Sequence, residues 1–91
     1  MAKYSATQQY TRPTEHTEGG GFRMEAGAVI YRITDSLREL AQEIEKVQGM
    51  KSCRDYVFDP LITVYTGKRD PRECGDYELR DGRLHKVPAY V

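Results

Sequence analysis

The chain has no tryptophan and only two phenylalanines among its 91 residues. Large side chains for a core are scarce, and a core of that size is often completed by a partner. Cysteine is also scarce: Cys53 and Cys74 are the whole complement. Structural zinc sites usually bring their ligands in close pairs, yet no two of Cys53, Cys74, His16 and His85 lie within four residues. No metal or other cofactor is expected. A disulfide would need an oxidising compartment, so both cysteines are expected as thiols. No apolar run approaches the roughly 20 residues of a membrane span. The stretch Met1–Tyr10 lacks the hydrophobic segment of a secretory signal. The expected location is the cytoplasm, or an assembled particle that carries the protein out. Neither charge is in excess: Lys plus Arg and Asp plus Glu stand at 14 each. No segment is a polycation, which argues against a general coat for nucleic acid or membrane.

The chemistry-bearing residues do not assemble into a catalytic pattern. Cys74 with His85 could be weighed as nucleophile and base, but nothing around Cys74 supplies a nucleophile turn or a helix N-terminus to lower its thiol pKa. Asp55 with Asp59, and Asp76 with Glu78, fall in turns and loops and read as solvated charge. Gly19-Gly20-Gly21 neither follows a strand nor carries the Lys-Ser/Thr of a phosphate loop. An enzyme is not expected.

What is present is one regular pattern. Ala26, Ile30, Ile33, Leu37, Leu40, Ile44 and Val47 recur with gaps of 4, 3, 4, 3, 4 and 3. On a helix this spacing lines one face, and it predicts a helix over about 25–48. The heptad flanks are mostly uncharged, so the stripe is broad, which suits a globular core better than a two-helix seam. Gly49 falls where a left-handed C-terminal cap would sit. The start is contested. Val29, Ile30, Tyr31 and Ile33 suit a strand, and Ser36 with Glu39 reads as a capping box. A strand over 28–33 with a helix over 36–48 is the competing reading; the unbroken spacing favours the long helix.

Around this element the chain reads as an arm and one domain. Residues 1–21 are polar and aperiodic, ending in three glycines, and are expected to form a flexible N-terminal arm. Residues 22–91 are expected to form one small domain. Leu61–Thr66 is rich in β-branched residues and predicts a strand, opened by Pro60 and closed by Gly67. Residues 77–80 and 83–87 flank Asp81-Gly82, the preferred type I′ pair, and predict a hairpin. The fold class is therefore α+β: a long amphipathic helix on a small antiparallel sheet (61–66, 77–80, 83–87), with an arm in front.

Two kinds of binding surface are expected. One is a protein interface, with Tyr4 and Tyr10 as anchors of the arm and Ile30, Ile33 and Leu37 as contacts on the helical face. On this reading the chain is a small non-enzymatic interaction or assembly protein that pairs with itself or a partner. A phage or mobile-element accessory, either a virion component or an inhibitor of a host complex, would suit that build. The alternative is a nucleic-acid-binding module built from Lys68, Arg69, Arg72, Arg80, Arg83 and Lys86, with Tyr65 and Tyr77 among them. Asp70, Glu73, Asp76, Glu78 and Asp81 are interspersed, so a solvated mixed-charge surface competes with it.

Overall fold

A computed structural model describes residues 3–14, 23–67 and 72–88. They form an α+β fold: one helix against a five-stranded antiparallel sheet. The strands are β1 (Tyr4–Thr14), β2 (Arg23–Ile30), β3 (Val57–Thr66), β4 (Gly75–Arg80) and β5 (Arg83–Lys86); the helix α1 spans Leu37–Gln48. The sheet order is β2-β1-β3-β4-β5.

Two expectations need correction. The first is the arm. Tyr4–Thr14 is not an arm but a strand of the sheet interior, paired with β2 on one side and β3 on the other. Its sequence looks aperiodic because one of the positions facing the helix is polar: Tyr4, Ala6 and Gln8 are buried, while Ser5, Thr7 and Gln9 alternate with them on the far face. Ladder hydrogen bonds on both edges offset the ordering cost that polar side chains could not. The glycine run Gly19–Gly21 lies outside the described residues.

The second correction concerns the long helix. Residues 23–30 form β2, and α1 begins at Leu37. A spacing of four is even, so Ala26 and Ile30 share a face in a strand as they would on a helix. Gly27 weakens a helix interior by about 1 kcal/mol, and Val29 and Ile30 favour the pleated form. The helix start follows the capping box: the Ser36 hydroxyl accepts from the Glu39 amide at 3.1 Å, and the Glu39 carboxylate accepts from the Asp35 amide at 3.5 Å. At the other end Gly49 caps in a right-handed conformation, φ −85°, rather than a left-handed one. Its amide donates to the Glu45 carbonyl at 3.0 Å.

Strand β3 starts earlier than its β-branched run. Gln8 pairs with Ile62 and Tyr10 with Phe58, so Asp59, Pro60 and Leu61 face the single residue Gln9. This bulge houses Pro60, which cannot donate to the ladder. The Asp59 carboxylate accepts from the Leu61 amide at 2.9 Å. The hairpin is as read. Leu79 pairs with Leu84 and Tyr77 with Lys86, and Asp81 and Gly82 have φ of 53° and 77°, as a type I′ turn requires.

The core lies between α1 and one sheet face. Tyr4, Ala6, Tyr31, Leu40, Ile44, Ile62, Val64 and Tyr77 form it, rimmed by Val29, Leu37, Val47, Leu79 and Leu84. Each fully buried Leu, Ile or Val contributes about 1.5–3 kcal/mol; Leu40, Ile44, Ile62 and Val64 are the largest such side chains. At 1.5 Å per residue a 12-residue helix is about 18 Å long, against roughly 37 Å for an 11-residue strand. The helix therefore leaves about half of β1 uncovered. The opposite face of the sheet carries no layer at all among the described residues.

Burial has a consequence at high pH. Desolvation raises the phenol pKa of Tyr31 and of Tyr77 above the ordinary 10.0. The unfolded chain ionises first, so the folded state is at no disadvantage below pH 10 and loses ground as pH rises through and beyond it. The urea midpoint should hold steady from about pH 7 to 9 and fall above about pH 10. A midpoint that rises there would contradict the burial of these two phenols.

Candidate interaction surfaces

The first surface is the open face of the sheet. Strand alternation turns Met24, Ala26, Ala28 and Ile30 of β2 to this side, with Thr7, Thr11, Val57, Thr63 and Tyr65 of β1 and β3. Ile30 is 80% exposed, Val57 64% and Tyr65 51%. Leu61, beside the bulge, is also exposed. A groove of about 350 Å³ crosses the face between Ala26, Gln9, Thr11 and Val57 and ends at Asp59-Pro60. The residues between the apolar groups are largely threonines, which carry no charge to repel an apolar partner.

The second surface is the sheet overhang on the helix side. Tyr10 stacks on Tyr56 with ring centroids 4.1 Å apart and planes 6° from parallel, and Phe58 is tilted against both. The Arg12 guanidinium lies 5.9 Å from the Tyr56 ring centroid and pairs with Glu25 at 3.1 Å. The hydrogen bond with Tyr56, then desolvation, pushes the Tyr10 phenol up. Gly27 is what lets the ring lie there: a Cβ at that position would stand 2.6 Å from the Tyr10 hydroxyl. Tyr10 is thus held by its own chain.

A buried polar knot ties the two regions together. Gln8, 4% exposed, donates from Nε2 to the Asp59 carbonyl at 2.6 Å. Its Oε1 accepts from the Tyr31 hydroxyl at 2.6 Å and from Gln48 Nε2 at 2.9 Å. One side chain thereby joins β1, the bulge in β3, the segment after β2 and the end of α1.

The other expected contacts fall in different places. Tyr4 is not an exposed anchor. It is buried in the core, and its hydroxyl donates to the Glu73 carboxylate at 3.0 Å. Ile33 is exposed beyond the end of β2. Leu37 is half-buried and borders a groove of about 580 Å³ between α1 and the hairpin turn. Lys68 and Arg69 lie outside the described residues. Arg80 and Arg83 face each other at the hairpin end, where Arg80 also pairs with Glu78 at 3.6 Å. Lys86 sits opposite Tyr77, on the helix side, and donates to the Arg72 carbonyl at 2.6 Å. Strand alternation therefore divides this basic set between two faces. Cys53 is buried, Cys74 is half-buried, and both are free thiols. Among the described residues no three His, Cys, Asp or Glu side chains converge as metal ligands would, and no helix is long and apolar enough to cross a membrane.

No protein-family model, curated protein or solved structure matches the chain. Met24, Val57 and Leu61 were not among the binding residues the sequence singled out, and Tyr65 was marked only as an aromatic beside the basic set. The signal for Tyr65 on this face is the alternation in β3, where Ile62 and Val64 point in and Thr63 and Tyr65 point out.

Proposed function

We propose that this is a small non-enzymatic protein-binding or assembly protein that docks through the open face of its sheet. The observation that carries this reading is the exposure of Ile30, Val57 and Tyr65 on one uncovered face. Exposed large apolar side chains gathered on one uncovered sheet face mark an interaction site. The occupant is a protein surface or a second copy of the chain. The setting that fits such a module is the cytoplasm or an assembled particle, as an accessory of a phage or mobile element.

The test is a triple variant, Ile30→Thr with Val57→Thr and Tyr65→Thr. Threonine keeps the strand preference and removes the apolar surface. Because these side chains are exposed, each change should alter stability by less than about 0.5 kcal/mol. Binding to the partner co-purified with the wild type from native host extract, or to itself, should weaken about a hundredfold, as expected when central interface groups worth about 2.7 kcal/mol are lost. Undiminished binding would sink the reading. Salt-dependent retention of an oligonucleotide by both proteins would favour nucleic acid instead.

A further inference from the structure

The ladder bonds show which backbone groups of β2 are spent. The Tyr31 amide donates to the Ala6 carbonyl at 2.9 Å. In an antiparallel ladder bonded and non-bonded pairs alternate. Val29, Gly27, Glu25 and Arg23 therefore bond inward to β1. Met24, Ala26, Ala28 and Ile30 turn their N–H and C=O groups outward, and among the described residues nothing pairs with them.

Exposed edges are normally blunted by shortness, charge, proline or a bulge. The other edges of this sheet follow that rule. Strand β5 has four residues, three of them Arg83, His85 and Lys86. The part of β3 that runs beyond β4 carries Pro60 and the bulge. Strand β2 has eight residues and no proline; its charges, Arg23 and Glu25, lie in its first three residues on the helix side, and its middle is Ala26-Gly27-Ala28.

We propose that β2 pairs antiparallel with β2 of a second copy, with the two-fold axis at Gly27, so that two sheets become one of ten strands. This rests on reading the chain as an assembly protein. It also names the occupant of the edge and its register. An antiparallel pair must match outward residues with outward residues. With the axis at Gly27, Met24 meets Ile30 of the second copy and Ala26 meets its Ala28, and the reverse holds. Each bonded pair exchanges two hydrogen bonds, so these four pairs satisfy all the outward groups of both strands. Shifting the register by two residues leaves one outward residue of each strand unmatched. The facing side chains agree with this register. On the open face apolar meets apolar. On the helix side Glu25 faces Val29 and Arg23 faces Tyr31, with no like charges opposed. The two open faces then join along Met24, Ala26, Ala28 and Ile30.

Residue-resolved amide exchange of the full wild-type chain at rising concentration tests this, alongside sedimentation. The expected result is a dimer in which the amides of Met24, Ala26, Ala28 and Ile30 exchange about tenfold or more slowly than in the dilute monomer. Ala28→Pro removes one outward N–H, a position where an edge strand tolerates proline. It should stay folded and monomeric. A dimer whose four edge amides remain fast, a dimer that survives in folded Ala28→Pro, or a monomer at every concentration would overturn the pairing. The wild-type exchange decides the matter if the proline variant does not fold. A monomer that still binds a different protein through Ile30, Val57 and Tyr65 would overturn the pairing and leave the docking face standing.

Discussion

Gln8→Leu is expected to destabilise the fold by at least about 3 kcal/mol, more than its size-conserving character suggests. A buried polar group left without a partner costs about 1–3 kcal/mol. Gln8 serves three: the Asp59 carbonyl, the Tyr31 hydroxyl and the Gln48 amide. Leucine fills the space and satisfies none. The Tyr31 hydroxyl and the Gln48 amide lose their shared acceptor, and the Asp59 carbonyl sits in a bulge with its ladder already interrupted. A double-mutant cycle makes the test specific. Tyr31→Phe alone should cost about 1–2 kcal/mol. In the Gln8→Leu background it should cost little, because the hydroxyl has already lost its acceptor. Urea melts of the four proteins supply the numbers. Additive losses would mean that the two side chains do not share a network.

Leu40→Ala is expected to be comparably severe, by a different route. Leu40 has no exposed surface and sits in one cluster with Tyr4, Ala6, Ile44 and Ile62. Truncation removes transfer energy and leaves a cavity, together about 2–5 kcal/mol. A small domain has only about 5–15 kcal/mol in all, so much of the population should be unfolded near 37 °C. Gln42→Ala, on the exposed face of the same helix, should change stability by less than about 0.5 kcal/mol. The difference between Leu40→Ala and wild type should be the same at every protein concentration, because Leu40 packs on its own chain. A difference that grows on dilution would place Leu40 in an interface.

Local chemistry was legible in the sequence wherever the partner residue was close by. Asp81-Gly82 specified its turn through the positive φ both residues need, and Ser36 with Glu39 specified the helix start. Leu40 and Ile44 were correctly placed in the core by their spacing. Long-range pairing was not legible. Strand β1 owes its order to Ile30 on one side and Thr63 on the other, which both lie opposite Thr7. Nothing in Tyr4–Thr14 itself announces those partners, and a glutamine at a core position breaks the alternation that would have marked a strand. Ile30 illustrates the same limit at the binding surface. Its place in a 3–4 pattern was visible, but whether it pointed at a helix core or an open sheet depended on β1. Tyr10 was noticed as a large apolar group, while its stacking partner Tyr56 lay far along the chain.

The position of β1 also shapes how the chain must come together in time. It lies next to β2 in the sheet and close to it in sequence, so that pairing closes a short loop and can form early. Its other edge waits for β3, and Gln8 for Ile62 and Asp59. Until β3 is synthesised and docked, the β1–β2 pair exposes strand edges on both sides. A nascent chain that ends before Thr66 therefore presents two sticky edges where the finished protein presents one. Slowed translation or early termination across β3 would convert a folding delay into aggregation.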